Sequence, residues 1–400
     1  GHGRQIVCPD FFETIVPLMA TELNLDLSNF TIFPASNVLA LLHWRHLHDV
    51  LFHVSDSVRS EIKTCRVQTN AAGVVIFDPL DDSVESEAEV VPIQGGVDGK
   101  SHFLIDAHIH LDMLCNDCGK TSDELHLAVL QANSDPKVSK TDFEVEKVIS
   151  NCVHPRLWDM TNNLLAFSPY ETHLTFGIHP HHAGMFGDWQ FELEQKVLLD
   201  SCVGVGETGF DIQCKCKQGE CNPRRRHASL FAEQLVSFRG HIYLAVTNGK
   251  TLVLHLRGQD AVSLEALQIL KDLQATNLRV HYHCFTGSEE LAKQWVASVP
   301  KVKFGFTAYY LERYLRIRKV CGSLDPSRVL PETDAPYLHP FPDPRPPHAD
   351  RRWRQPRKTN PPDMLHLAVR NIARAQGKEV SEMVPILNEN ICEVYHLGTA

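Results

Sequence analysis

From residue 103 onward, short runs rich in β-branched and aromatic residues alternate with stretches whose apolar positions recur at helical spacing. The runs are Phe103 to Ala107, Val148 to Val153, Leu174 to Ile178, Val203 to Gly206, Leu252 to Leu254, Val280 to His283, Val302 to Phe306 and Arg328 to Leu330. They read as strands with helices between them. That rhythm over roughly 300 residues predicts an α/β fold, a (β/α)8 TIM barrel, although a doubly wound open sheet gives a similar pattern. The polar residues break the tie. Strand one runs into Asp106-Ala107-His108-Ile109-His110, strand three into Gly177-Ile178-His179-Pro180-His181, and strand four into Gly206-Glu207-Thr208-Gly209. Strand five ends in His255, strand six in His283-Cys284-Phe285, and strand eight in Glu332-Thr333-Asp334. A barrel gathers these ends on one face, where such enzymes keep their chemistry, whereas an open sheet spreads them along a line.

Ahead of the barrel the pattern changes. Val38, Leu41, Leu42, Leu47 and Leu51 recur at helical spacing behind a candidate cap, Ser36, and Gly73 to Phe77 reads as a strand. Asp81 to Glu89 carries five acids and no base, with Gly95, Gly96 and Gly99 close behind. The expected organisation is therefore an N-terminal α/β appendage of unassigned function over residues 1–79, an acidic and glycine-bearing linker over 80–100, and the barrel over 101–400.

Charge narrows the partners. The 39 Lys and Arg against 49 Asp and Glu give a net charge of -10, so no global positive field draws in nucleic acid or an anionic membrane, and a polyanion has to be held locally. No stretch reaches the length of a membrane span. The 12 cysteines are spread over a long chain in which no signal peptide is visible, which points to a reduced intracellular compartment, cytoplasm or nucleus.

The 23 histidines bear on the chemistry. In an extended strand His108 and His110 point to the same side, so both imidazoles can grip one cation. Alone, an H-x-H pair is more often two half-buried polar residues. With Glu207, His255, His283 and Asp334 each at a different strand end, the bland reading needs six coincidences. These are more ligands than one tetrahedral ion uses, and a carboxylate can place one oxygen on each of two ions. The expected division is His108, His110, Glu207 and Asp334 on one divalent cation, and Glu207, His255 and His283 on a second. Mixed imidazole and carboxylate donors suit Zn²⁺ or Mn²⁺, with Mg²⁺ also open.

The same segments carry a family likeness. Ile105 to Asp112, Gly177 to His181, Gly204 to Asp211, Leu252 to His255, His283 to Ser288, Gly305 to Ala308 and Glu332 to Leu338 together resemble the TatD family of metal-dependent deoxyribonucleases, a branch of the amidohydrolase-like barrels. The likeness spans residues 103–397, and its phrasing around His283 and Phe306 is closest to the animal TatD-domain proteins. It implies a barrel of the metal-dependent hydrolase type that cleaves DNA phosphodiesters, on single strands or ends. Catalysis is then expected from Asp334, Glu207 and His179. Asp334 orients or deprotonates a water whose pKa two cations have lowered, and His179 holds the phosphate or assists the leaving group.

The chain departs from the family pattern in places. Phe210-Asp211-Ile212 stands where Leu-Asp-Tyr is usual, so a DNA-facing aromatic is expected to be lost. The helix from Arg226 is lengthened near Ser237 to Tyr243 with Gly240 inside, read either as a looped insertion or as an irregularity that perturbs the strand carrying His255. Pro331 interrupts strand eight.

Two further features lie outside the motifs. Between residues 345 and 358, Arg345, Arg351, Arg352, Arg354, Arg357 and Lys358 face only Asp350, with Trp353 embedded. Arg351, Arg352, Trp353 and Arg354, joined by Arg257, read as a phosphate clamp with a base-stacking platform. Cys115 and Cys118, with Cys214, Cys216 and Cys221, read first as free thiols and secondarily as a structural zinc site. The leading expectation is a DNA nuclease. A small-phosphoester or amide hydrolase on the same barrel, and a catalytically weak nucleic-acid-binding or scaffold protein, are the rival readings.

Overall fold

The computed structural model describes residues 67–69, 75–77, 102–118, 143–161, 165–166, 168–212, 227–258, 260–340 and 359–398. A small antiparallel pair, β1 (Val67–Thr69) and β2 (Val75–Phe77), stands in the N-terminal region, where the strand Gly73 to Phe77 was expected. The expected helix at Val38 to Val54 and the linker lie outside the described residues.

Eight further strands follow: β3 (His102–Ile109), β4 (Phe143–Cys152), β5 (Glu171–Phe176), β6 (Cys202–Asp211), β7 (Thr251–Arg257), β8 (Val280–Tyr282), β9 (Val302–Thr307) and β10 (Val329–Glu332). They form one sheet in sequence order. The first joins the last, because Ile109 bridges Ala335 in parallel and the Asp334 and His110 amides donate to His108 and Ala335 carbonyls. This is the (β/α)8 barrel. Between and after the strands run helices α1 (Leu111–Cys118), α2 (Phe186–Val197), α3 (His227–Thr247), α4 (Asp260–Asp272), α5 (Glu289–Ser298), α6 (Ala308–Arg313), α7 (Leu315–Ser323), α8 (Leu365–Gln376) and α9 (Val380–Tyr395). No helix among the described residues is long and apolar enough to cross a membrane.

Packing divides the chain into two compact units. One comprises Gly1–Asp82, Val153–Pro155 and Phe176–Leu278, the other Ser83–Cys152, Arg156–Thr175 and Arg279–Ala400. In the first, β6 does not stop at Gly206 as the glycines suggested. It continues through Asp211, with a shift of register against β7 between Val205 and Thr208. Gly206 is required by crowding, because its φ of 139° lies in the left-handed region and a Cβ there would strike the Val253 carbonyl. Glu207 is thus carried by the strand itself rather than by a following loop.

The segment Ser237 to Tyr243 is neither a loop nor a disturbance. It is part of the continuous helix α3, and β7 beyond it is regular. Gly240 fits because any Cβ would enter the Phe186 ring at the start of α2. The neighbouring His241 is fully buried, donates from Nδ1 to the Ser237 carbonyl at 2.7 Å and accepts the Ile178 amide on Nε2 at 2.9 Å. Both nitrogens are committed to the neutral form, and burial pulls its pKa from 6.5 down to about 4. The sign follows: the unfolded imidazole binds a proton that the folded one refuses, so the stability it contributes is complete above pH 6.5 and is lost as pH falls toward 4, by roughly 3 kcal/mol. His241→Gln should flatten the acid-side fall in urea unfolding midpoints; curves parallel to wild type would remove His241 from that account.

In the second unit, the C-terminal helix α9 begins with a capping box in which Glu379 and Glu382 serve each other's backbone amides. Met383, Leu387, Ile391 and Val394 form its buried stripe. Asn388 then pins it to β3, accepting from the Ile105 amide and donating to the Phe103 carbonyl. A register shift between Leu104 and Ile105 frees that amide from the ladder. Pro331 sits within β10 opposite Phe306, one residue from the end of the strand.

Candidate metal centre

The unit that contains β3 and β10 gathers four predicted ligands. His108 Nε2 and His110 Nε2 lie 3.3 Å apart, and Asp334 Oδ1 is 3.7 Å from the first and 3.3 Å from the second. His110 is oriented by donating from Nδ1 to the Asn151 carbonyl at the end of β4, 2.8 Å away, which leaves Nε2 as its lone-pair nitrogen. Asp334 is set by a left-handed backbone, φ 57°, whose amide is bonded to the His108 carbonyl. His283 stacks on His108 with centroids 3.7 Å apart and brings Nε2 to 3.8 Å from Asp334 Oδ1. All four side chains are buried. Burial alone would raise the Asp334 pKa, but His283, His110 and His108 hold it below the ordinary carboxylate value.

The donor chemistry fits a small divalent cation. Ligands at about 2.0–2.1 Å around a tetrahedral ion stand roughly 3.3 Å from one another, the spacing of His108 Nε2 from His110 Nε2 and of His110 Nε2 from Asp334 Oδ1. Two imidazole nitrogens and a carboxylate oxygen gathered at those distances are a donor set that could hold such a cation.

The other unit holds its own cluster of Glu207, His255 and His179. His255 Nδ1 is 2.8 Å from Glu207 Oε2 and 3.3 Å from His179 Nε2, while its Nε2 is 3.4 Å from Asp211 Oδ2. Carboxylates therefore stand at both nitrogens of this imidazole. Burial lowers the His255 pKa and Arg257 adds to that, but Asp211 and Glu207 outweigh them and the net shift is upward. Asp211 also takes a hydrogen bond from His181 Nε2 at 2.7 Å, and with His181 and His255 beside it stays ionised despite its burial. His179 accepts the His181 amide on Nδ1 at 3.1 Å, so its proton resides on Nε2. Burial, followed by His255 and His181, keeps it neutral.

The predicted site residues thus fall into two groups, with His283 beside His108 where the sequence had paired it with Glu207 and His255. Arg257 is half-buried and donates to the Leu256 carbonyl at 3.3 Å. Arg351, Arg352, Trp353 and Arg354, the cysteine segment 214–221 and the side chains of Cys115 and Cys118 lie outside the described residues. Three carboxylates escaped assignment. Asp106 accepts from the His108 and Thr333 amides and the Thr333 hydroxyl, tying β3 to β10, and burial pushes its pKa up to about 7. Asp211 and Glu332 stand beside histidine ligands. Each lies within a few residues of a predicted ligand, a signal the sequence contained.

A barrel with buried imidazole and carboxylate clusters at its strand ends defines a metal-dependent hydrolase. The chain belongs to the family of TatD related DNases, whose model matches residues 105–396. It is similar to the human 3'-5' RNA nuclease TATDN2, 28% identical over 306 residues that make up 74% of this chain and 35% of that protein. The chain thus spans about a third of the human relative. The 3'-5' ssDNA/RNA exonuclease TatD of Pectobacterium carotovorum is 29% identical over 228 residues, 56% of this chain and 78% of that protein. In fold it is similar to the hydrolase TatD family protein from Entamoeba histolytica, with a TM-score of 0.56, 18% identity and coverage of 75% of this chain and 100% of that one. The Escherichia coli TatD homolog YJJV gives 0.55 at 20% identity, with 74% and 98% covered.

Proposed function

We propose that the chain hydrolyses phosphodiester bonds in single-stranded nucleic acid, DNA and RNA, from the 3' end. The observation that carries this reading is the pair of buried donor clusters, one in each unit, each mixing imidazole with a carboxylate. Two divalent cations, Zn²⁺, Mn²⁺ or Mg²⁺, would be held, one by His108, His110 and Asp334 with His283, the other by Glu207 and His255. Such cations supply Lewis acidity that neutralises phosphate charge and acidifies water. The protein's own groups do the rest. Asp334 orients the attacking water and accepts its proton. His179, neutral with its proton on Nε2, donates to a phosphate oxygen or to the leaving group. The basic segment carrying Arg351, Arg352, Trp353 and Arg354, with Arg257, holds the strand in an otherwise acidic protein. The names of the human and bacterial relatives, an RNA nuclease and an ssDNA/RNA exonuclease, support polarity and the inclusion of RNA.

The test is to load the protein with Mn²⁺ or Zn²⁺ and follow 5'-labelled single- and double-stranded DNA and RNA. A ladder shortening from the 3' end of single strands is expected; internal cuts, or no cleavage by metal-loaded protein, would overturn the reading. His179→Ala should lower turnover by about a hundredfold to ten-thousandfold, the range of a lost acid or oxyanion donor, with bound metal unchanged by elemental analysis. Loss of metal would make His179 a ligand instead.

A further inference from the structure

Glu332 lies at the end of β10, fully buried, two residues before Asp334. Its carboxylate is fully engaged. Oε1 accepts the Cys284 amide at 2.6 Å and stands 3.3 Å from His283 Nδ1, an ion-pair distance, while Oε2 is 2.9 Å from His281 Nε2. His281 Nδ1 in turn is 2.7 Å from the Tyr395 hydroxyl, at the last turn of α9. With His281 neutral, the Tyr395 hydroxyl donates to His281 Nδ1 and His281 Nε2–H donates to Glu332; with His281 protonated, Nδ1–H donates to the hydroxyl, which turns to the Ala107 carbonyl 3.4 Å away, and the bond to Glu332 is kept.

Cys284 is the residue that turns the backbone after His283, and its φ of 48° is in the left-handed region, a conformation that is strained for a residue other than glycine. Glu332 holds that amide. The same oxygen faces His283 Nδ1, so its charge favours a proton on Nδ1 and leaves the lone pair on Nε2, the atom directed at Asp334. Room for the carboxylate is reserved by Gly305 of β9, where any Cβ would strike it.

We propose that Glu332 is a positioning residue for the metal ligand His283, and that His281 and Tyr395 hold Glu332 in place, so that the C-terminal helix sets the aim of one imidazole in the metal centre. His108, His283 and Glu332 also lie close enough together to hold a cation; Glu332 is assigned to positioning because its two oxygens are already bonded to the Cys284 amide and His281. The inference rests on the metal-binding reading above and extends it to residues none of its motifs assigns a role.

The test uses the full chain, freed of metal, and measures Zn²⁺ and Mn²⁺ affinity by competition with a chelator. Loss of an orienting partner of a histidine ligand weakens binding about tenfold to a hundredfold. His281→Leu should fall in that range, whereas His281→Gln, whose amide keeps a donor toward Glu332, should recover most of the affinity. Tyr395→Phe, the mildest change, should weaken binding severalfold and serves if His281→Leu does not fold. Nitrogen-15 shifts of the metal-free protein give the second readout: His283 should carry its proton on Nδ1 in the wild type and as a mixture of tautomers in His281→Leu or Tyr395→Phe. Folded variants with wild-type affinity and tautomer would overturn the inference while leaving the metal reading intact. So would His281→Gln as weak as His281→Leu. A wild-type chain that binds neither cation would overturn both.

Discussion

Glu207→Gln is expected to lower hydrolysis of a single strand by at least about a hundredfold, the loss seen when one preorganised electrostatic group is removed from an active site, while the fold survives. The glutamine keeps the shape of the side chain, but its amide brings no charge to the cluster. In place of a second carboxylate oxygen it presents an NH₂ that carries protons and no lone pair. With the charge gone, Asp211 remains the carboxylate that draws the His255 pKa upward. The metal-free protein should keep its fold, because glutamine preserves the shape of the side chain and its amide oxygen can still accept from His255 Nδ1. Elemental analysis beside a turnover assay decides the point. Wild-type turnover with unchanged metal content would remove Glu207 from the centre.

Gly206→Ala, one residue earlier, should act through the fold. The φ of 139° is strained for any residue with a Cβ, and the added methyl would meet the Val253 carbonyl and side chain of β7. Backbone strain of about 1–3 kcal/mol and overpacking of similar size sum to a loss of about 2–6 kcal/mol, against total stabilities of about 5–15 kcal/mol. A fall in melting temperature of roughly 5–15 °C is expected. A fall under a few degrees would show that β6 shifts to admit the methyl and that Gly206 is replaceable.

Much of this was legible in the sequence because ligands at strand ends obey a simple rule: period-two alternation places His108 and His110 on one side, and punctuation marks where each strand yields to chemistry. The strands appear where the apolar runs stand. Their ends do not always, because Gly206 reads as a breaker in sequence but is in fact the point where two strand backbones approach too closely for a side chain. Gly240 misleads in the same way, since its partner Phe186 is 54 positions away and no local signal announces the contact. Which imidazole groups with which carboxylate also escaped local reading. His283 has its ring stacked on His108 and its Nδ1 beside Glu332, relations that depend on strand register and on one buried acid, and pattern reading sees neither. His281 offered no motif at all; its role depends on a tyrosine more than a hundred positions later.

The bonds that fix His108 come from far along the chain. Asp106 is joined to Thr333 across 227 positions, and the Tyr395 hydroxyl approaches the Ala107 carbonyl, 3.4 Å away, across 288. A growing polypeptide therefore carries the H-x-H pair long before it carries anything that shapes it. Contacts of such sequence separation close late in folding. During synthesis at about 5–20 residues per second, the segment from Asp106 to Thr333 alone takes roughly ten to fifty seconds to emerge. Throughout that interval the ribosome-bound chain has the histidines of the candidate metal centre without the contacts that position them. The contacts that order this centre are complete only once α9 is present, because its Tyr395 reaches both His281 and the Ala107 carbonyl.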